Sequence, residues 1–297
     1  MKSKLVLLLY ITLHLCAQGA WAQVPDGSDM HLPRTPFRLQ SRAEVQLPPA
    51  VDNSTRKFFP PILDQMGGSC AQASGIGYMF TYEINRLLDR DAHASADHRF
   101  SYQFSWNLLN DGQDQGDFVD QGLYLSERYG IMTEQDYGIS GTYQFKWATG
   151  YNKYYKALQY RTQEVLTFAD SIPLMKRWLY DAGDGSAVGG VLTFSAMSRG
   201  WDIDDDYQGP SLTGYRSLLK SLATDGAHAL TIAGYDDTVV YTDEQGTPHT
   251  GAFIVVNSWG THSHDRGPTT FSVMPACPNS NWAARWKPSA CASTAPS

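Results

Sequence analysis

The sequence predicts an α+β protein with two lobes, the first helical and the second built from antiparallel strands. In the first half, apolar residues recur every three or four positions, as they do along the buried face of a helix. In the second half, short apolar runs are bounded by glycine and other turn residues, which is typical of strands. We therefore expect the helices to precede most of the sheet.

Three helices are predicted. The first begins at Ser69, a residue type that often caps a helix, and extends to about residue 89. Its apolar stripe consists of Ala73, Ile76, Phe80, Ile84 and Leu87. The second is expected near 122–129 and the third near 172–181, and each is followed within two residues by glycine, which commonly ends helices.

Strands are expected at 188–194, 227–235, 238–241 and 252–256, where apolar residues lie between turn signals. The prolines of the segment 47–65 disfavour helix, so an extended chain is predicted there. Beyond residue 267 the sequence is rich in Pro, Ala, Ser and Thr and has no lasting period, which predicts a weakly ordered tail over 268–297.

The N-terminus is typical of a secretory signal. Two lysines precede the apolar run 5–15, and Ala20-Trp21-Ala22 offers a small-x-small cleavage site. We expect a signal peptide over 1–22, cleavage near Ala22, an irregular leader over 23–46 and a main domain over 47–267. The mature protein is then expected outside the cytoplasm: secreted, periplasmic or at the cell surface.

Composition restricts the partners. The formal net charge is -7, and no Lys/Arg cluster with interleaved aromatic residues is present, which argues against nucleic acid. After the signal, no stretch is apolar enough to predict a membrane helix. We expect a monomer that acts on protein or peptide.

The four cysteines have different expected roles. Cys16 leaves with the signal peptide, and Cys277 and Cys291 lie in the tail, where they can pair with each other. Cys70 is left over, and an odd cysteine in an exported chain indicates a reactive thiol. The alternative is a buried, inert cysteine that packs as a small hydrophobe.

Other residues supply what a thiol nucleophile needs. Cys70 opens a predicted helix, whose dipole and free N–H groups favour the thiolate. His228 begins a predicted strand and Asn257 follows the next one, so a hairpin would place them side by side and let the amide orient the imidazole. Trp259 could cover that hydrogen bond. Gln65 and the Cys70 backbone N–H are candidate donors to an oxyanion.

These residues stand in motifs that resemble those of the papain-like cysteine peptidases. The matching segments are Asp64-Gln65 with Gly68-Ser69-Cys70, Ala227-His228-Ala229, and Val256-Asn257-Ser258-Trp259-Gly260-Thr261. The resemblance covers about residues 47–262 and implies a helical lobe, an antiparallel β-barrel-like lobe and a site in the cleft between them. It also implies roles by position. Cys70 would be the nucleophile, His228 the acid/base, Asn257 its orienter and Gln65 the oxyanion donor, with Gly68 and Ala229 lining the substrate site.

The sequence departs from the family's pattern in several places. Gly67 occupies the position of a usual disulfide cysteine, and Ala71 that of an aromatic residue. The segment between Cys70 and His228 is long, which predicts an insertion near 147–167. The Gly- and Tyr-rich strand that usually follows Asn-Ser-Trp-Gly-Thr is missing from the sequence, so that end can be truncated or frame-shifted.

The sequence thus predicts an exported endopeptidase that forms an acyl-enzyme on Cys70 and needs no cofactor. One alternative is a catalytically impaired papain-like module that binds peptides, and another is a thiol acyl-transferase acting on amines or cell-wall amides. His262 and His264 with Asp265, and His249 nearby, are weak candidates for zinc because an i, i+2 pair on a loop is not specific. We therefore predict no metal.

Overall fold

The structure, a computed structural model, describes residues 35–39, 45–111, 113–138, 147–168, 171–221, 225–243, 246–261, 270–273 and 281–285. All of them belong to one unit of the chain, residues 32–297. The predicted signal peptide, most of the leader, the cysteines other than Cys70 and the histidine pair at 262 and 264 lie outside the described residues. Within the described ranges, no helix combines the length and apolarity needed to cross a membrane.

The first predicted helix is present over residues 70–88, here called the central helix. It consists of α1 (Cys70–Gln72), a π-helical segment (Ala73–Phe80) and α2 (Thr81–Leu88). All eight residues of the π-helical segment are buried. Gly77 lies so close to Leu63 that an added Cβ would be 2.5 Å from the leucine Cδ1. The Leu63 side chain therefore occupies the space that a side chain at position 77 would need.

Further helices follow the central helix along the chain. They are α3 (Tyr102–Leu109), α4 (Val119–Tyr129), α5 (Glu134–Tyr137), α6 (Tyr151–Ala157) and α7 (Ile172–Asp181), with a 3₁₀ turn at Ala96–His98. The predictions of α4 and α7 are confirmed. Helices α3 and α6 were not predicted, and α6 lies in the segment expected to be an insertion.

The strands form one mixed sheet. They are β1 (Thr35–Pro36), β2 (Ala50–Asp52), β3 (Glu164–Thr167), β4 (Leu192–Met197), β5 (Asp202–Asp204), β6 (Leu218–Ser221), β7 (Ala227–Thr242), β8 (Pro248–Val256), β9 (Thr270–Val273) and β10 (Asn281–Arg285). Their order is β1-β3-β10-β4-β7-β8-β9-β6-β5, with β2 beside β7. The α+β class is confirmed. The described strands form no closed barrel, so the expected barrel-like arrangement of the second lobe is not seen among them.

The β7–β8 hairpin is the centre of the sheet. Two predicted strands, 227–235 and 238–241, are one strand of 16 residues, whose register with β8 shifts after Ile232 and after Asp236. Strand β4 pairs with the beginning of β7, with Ala196 opposite His228. This pairing fixes the position of His228 in the sheet.

Two regions differ from the predicted lack of regular structure. In the leader, Phe37 is buried and its ring stacks on Phe168, with centroids 4.6 Å apart, directly after β1. In the tail, β9 pairs with β8 and β10 with β3 and β4. At these nine tail residues the expected weak order is replaced by strands, and the sheet extends beyond residue 267. The partners of β10 lie far away in the sequence, and β9 is only four residues long, so neither strand has a lasting local period.

A buried ion pair within the central helix also hydrogen-bonds to the segment just before β4. The Glu83 carboxylate contacts Arg86, with 2.8 Å between Oε2 and Nη2, and it also accepts a hydrogen bond from the Val191 N–H at 3.0 Å. Because residues 188–191 hydrogen-bond to side chains and helix ends in this way, β4 begins at Leu192 instead of the predicted Val188.

We predict that Glu83→Ala destabilises the fold by about 3–5 kcal/mol, the usual effect of removing one partner from a buried ion pair. The change leaves the Arg86 guanidinium and the Val191 N–H without their acceptor. Equilibrium unfolding in urea measures the effect, with Lys156→Ala as the control because it breaks the exposed pair with Asp136. Equal unfolding midpoints for the two variants would contradict the prediction.

Candidate active site

Cys70 is the first residue of α1 and carries a free thiol. Ser69 does not cap the helix as predicted. Its hydroxyl donates to the Met66 carbonyl at 2.6 Å, and its backbone lies at φ −85° and ψ 13°, outside the extended region that is usual for an N-cap residue. The Gly68 N–H donates to Asp114 Oδ1 at 2.9 Å, so the α3–α4 connection holds the turn that leads to the nucleophile.

The surroundings of the thiol act in opposing directions. Burial raises the pKa of Cys70, and the charge of Asp117 raises it further. The backbone N–H groups of Ala229, Ala71 and Cys70 itself lower it. The N–H of Ala229, the residue after His228, is thus directed at the sulfur from the opposite side of the site. Since burial has the largest effect, the pKa of Cys70 is raised and the neutral thiol is favoured, contrary to the thiolate expected from the sequence.

His228 and Asn257 meet as predicted. Both are buried, and His228 Nε2 lies 2.8 Å from Asn257 Oδ1. Burial lowers the pKa of His228, and the hydrogen bond to Asn257 acts against that shift. The hairpin produces this contact because His228 is the second residue of β7 and Asn257 directly follows β8.

One backbone group decides the tautomer of His228. The Ser258 N–H donates to Asn257 Oδ1 at 2.7 Å, so the atom facing it must be the amide oxygen and not the NH₂ group. That oxygen also faces His228 Nε2, which must therefore carry a proton and donate it. The other ring nitrogen, Nδ1, is unprotonated in the neutral ring and can act as a base.

Two tryptophans contact the imidazole. The Trp259 ring stacks on His228 with centroids 4.7 Å apart and planes at 27°, as expected for a residue that covers this hydrogen bond. Trp201, between β4 and β5, was not predicted, although its centroid lies 5.9 Å from that of His228 and 5.8 Å from that of Trp259. It stands in no motif, so the sequence gives no signal for it.

Gln65 lies beside the Asn-Ser-Trp-Gly segment. Its backbone N–H donates to the Ser258 carbonyl at 2.7 Å, and its Oε1 accepts from the Ser258 hydroxyl at 2.6 Å. Its Nε2 donates one proton to the Gly67 carbonyl at 3.0 Å. The amide nitrogen carries a second proton, which is the one that could serve an oxyanion. Ser258 belongs to the Asn-Ser-Trp-Gly motif, but the sequence does not predict its hydrogen bond to Gln65.

A buried phenol joins three segments of the site. The Tyr78 hydroxyl, from the central helix, donates to the Asn257 carbonyl and accepts from the Leu63 N–H, both at 2.8 Å. Burial raises the pKa of Tyr78, so the phenol stays protonated. The strand end that carries Asn257 and the segment that carries Gln65 are therefore tied to the helix that begins at Cys70.

Asp117 adds a titrating group near the thiol. Burial raises the pKa of Asp117 to about 7, against the opposing effect of hydrogen bonds from Gln72 and Asn110. The site therefore contains a carboxyl group that changes charge near neutral pH. Nothing in the sequence marked Asp117 as different from the other acidic residues of the α3–α4 connection.

Ala229 and Gly68 are the residues that were predicted to line the substrate site. Ala229 is buried on β7, where it pairs with Ser195 and lies next to the thiol. At Gly68, an added Cβ would lie 2.9–3.0 Å from the backbone of residues 115–116. Among the described residues, no group of three or more His, Cys, Asp or Glu side chains could hold a metal ion.

Several solved structures are similar to this chain. Xylellain, a cysteine protease from Xylella fastidiosa, is 18% identical with a TM-score of 0.58, and the match covers 85% of this chain and 91% of xylellain. Digestive procathepsin L 3 from the larval midgut of Tenebrio molitor is 13% identical with a TM-score of 0.55, covering 85% of this chain and 74% of the other. The proform of the ragweed pollen cysteine protease Amb a 11 is 13% identical with a TM-score of 0.54, covering 81% and 66%.

The fold is that of papain-like cysteine proteases. This confirms the fold that the motif resemblance implied. Neither a family model nor a curated protein matches the sequence. The contacts described above join Gln65 to Ser258, His228 to Asn257, and the Ala229 N–H to the Cys70 sulfur.

We predict that Asn257→Asp raises the pKa of His228. A carboxylate at this position can still accept from Nε2–H, and its charge favours the imidazolium. A histidine side-chain NMR titration measures the shift, with the His228 signal assigned by its loss in His228→Ala. An unchanged or lower pKa of His228 in the Asn257→Asp variant would show that the two side chains do not meet in solution.

We predict that Asp117→Asn lowers the pKa of Cys70, because it removes a negative charge that disfavours the thiolate. The difference from wild type should grow above about pH 7, where Asp117 is ionised. The rate of alkylation by iodoacetamide as a function of pH measures it. Asp111→Asn, an exposed change in the same connection, is the control, and coincident profiles for both variants would refute the prediction.

Proposed function

We propose that this protein is a cysteine endopeptidase that hydrolyses peptide bonds through an acyl-enzyme on Cys70. The observation that carries the proposal is the orientation of His228. Its Nε2–H donates to the Asn257 oxygen, so the unprotonated Nδ1 can act as a base. The N–H of Ala229, the next residue on the same strand, faces the Cys70 sulfur. The similar solved structures, which are described as cysteine proteases, support the same chemistry.

In the first half of the reaction the thiol proton passes to His228 Nδ1 as the sulfur attacks the carbonyl carbon of the substrate. This order fits a site in which burial favours the neutral thiol and the neutral imidazole. The carbonyl oxygen becomes an oxyanion, for which the Cys70 N–H and the second proton of Gln65 Nε2 are the proposed donors. The imidazolium then donates its proton to the leaving amine, and the C–N bond breaks.

In the second half a water molecule replaces the amine. His228 Nδ1 accepts a proton from the water as its oxygen attacks the thioester carbonyl. The same donors stabilise the second oxyanion, and the C–S bond breaks with return of the proton to the sulfur. The cycle releases an acid and regenerates the thiol, so its atoms and protons balance without a cofactor.

We also propose that the enzyme acts outside the cytoplasm, on the basis of the predicted signal peptide over 1–22. A thiol exposed to an oxidising compartment is readily lost to oxidation. Activity should therefore be highest under reducing conditions. Protein or peptide is the proposed substrate class, and the predicted monomeric state is retained as part of this proposal.

The alternative of a non-catalytic binding module has less support than the peptidase. It was motivated by the missing strand after Asn-Ser-Trp-Gly-Thr. In the structure β9 pairs with β8 along residues 253–256, directly before Asn257, so this edge is covered. The acyl-transferase alternative uses the same acyl-enzyme and differs only in the acceptor. Product analysis with and without added amines distinguishes it from hydrolysis.

We predict that the purified protein releases coumarin from a dipeptidyl aminomethylcoumarin amide and that Cys70→Ala abolishes this activity, because the alanine side chain cannot form the thioester. An electrophilic thiol trap should block turnover, and mass mapping should place the label on Cys70. His228→Ala should also be inactive. His249→Ala, which removes a histidine paired with Asp243 farther along the same hairpin, should retain activity. Hydrolysis that survives Cys70→Ala would refute the nucleophile.

A further inference from the structure

Two indole rings, those of Trp201 and Trp259, lie against the imidazole of His228 and are here called the aromatic enclosure. The indole of Trp201 is stacked against that of Trp259 at an interplanar angle of 29°, and it faces His228 at 55°. All three pairs of centroids lie within 4.7–5.9 Å. The three rings therefore form one triangular cluster in which each ring contacts the other two.

Trp201 is held by the strand that pairs with the strand of His228. Its Nε1–H donates to the carbonyl of Met197, the last residue of β4, at 2.5 Å. Met197 pairs with Ala227, and Ala196 pairs with His228. The position of the indole is therefore set by the same β4–β7 pairing that positions the imidazole.

The turn between β4 and Trp201 is also fixed to the turn before His228. The Ser198 N–H and its hydroxyl both donate to the Gly226 carbonyl, at 2.6 and 3.0 Å. Arg199 adds a backbone bond to the Asp225 carbonyl at 2.9 Å and an ion pair with its carboxylate at 2.7 Å. Because these four contacts join the two turns, the position of Trp201 is fixed relative to β7, the strand that carries His228.

The chemistry of the site gives this enclosure a task. Nε2–H must stay on the Asn257 oxygen while Nδ1 accepts and returns protons, and both requirements are lost if the ring rotates. Flat rings beside the imidazole restrict its rotation, and they exclude water that would compete for the Nε2–H bond.

We propose that Trp201 is a positioning residue for His228, acting with Trp259 to hold the imidazole in the orientation in which Nε2 reaches Asn257. The inference rests on the proposed function, since it assigns Trp201 to the proton transfers of that reaction. Trp201 acts through His228 and is not itself a catalytic residue.

The test compares three substitutions at Trp201. Trp201→Ala removes the ring and should lower kcat by about 10²-fold, the size of effect expected from slight misplacement of a catalytic group, with a smaller change in KM. Trp201→Phe restores a flat ring and should recover most of kcat. Trp201→Leu restores apolar volume without a flat face and should resemble Trp201→Ala. Trp147→Ala, which removes a tryptophan 43% exposed in the segment before α6, is the matched control and should behave as wild type.

A second measurement separates this inference from the proposed function. The pH profile of Cys70 alkylation by iodoacetamide needs no peptide, so it can be read even if the protein hydrolyses none. Burial lowers the pKa of His228, and opening the enclosure admits water. The acid limb of the profile should therefore move to higher pH in Trp201→Ala and Trp201→Leu, and stay near its wild-type position in Trp201→Phe.

The outcomes are distinct. If wild type hydrolyses no peptide but the alkylation profiles shift as expected, the proposed function fails and the positioning role of Trp201 stands. If the alkylation profiles of wild type, Trp201→Ala and Trp201→Leu coincide, the inference is overturned, whatever the peptidase activity. If Trp201→Ala does not fold, as judged by circular dichroism, Trp201→Leu decides. Wild-type kcat in Trp201→Leu would also overturn the inference.

Discussion

The site depends on one acceptor, the side-chain oxygen of Asn257. Two donors meet there, the backbone N–H of Ser258 and the Nε2–H of His228. The backbone donor cannot be exchanged for an acceptor, so it fixes which end of the amide faces the imidazole, and the amide in turn fixes which ring nitrogen carries the proton. A local backbone bond in a turn thus sets the protonation pattern of a histidine 29 residues away in the sequence.

The rest of the fold fixes the position of that acceptor relative to the helix that begins at Cys70. The Tyr78 hydroxyl ties the central helix to the carbonyl of Asn257. Farther along the interface, Ser74 of the same helix hydrogen-bonds to Thr193 of β4 and Thr231 of β7. Polar side chains buried between a helix and a sheet must pair to avoid a loss of stability, so these bonds favour one relative placement of the two. The relative positions of Cys70 and Asn257 are therefore a consequence of how the helix packs on the sheet.

Burial and reactivity are opposed at the thiol. The burial that orders the site raises the pKa of Cys70 and lowers the pKa of His228, so both groups are favoured in their neutral forms. Neutral partners with the correct tautomer can still exchange a proton when substrate arrives. Asp117, with its pKa raised to about 7, makes the balance depend on pH in the neutral range. These pKa shifts agree with the proposed reaction, in which a neutral imidazole takes the thiol proton during attack.

The α+β class, three helices, the central strands and the contact between His228 and Asn257 could be predicted from the sequence, because short periodic segments and motifs are local properties. It did not reveal the short strand β9, the strand β10, whose partners are distant, or the single long strand β7, whose register shifts interrupt its period. Only the tertiary structure decided the tautomer of His228, the raised pKa of Cys70 and the place of Trp201 beside the imidazole. Each of these results from groups far apart in the chain packing together, and burial and pairing of that kind leave no periodic signal in the sequence.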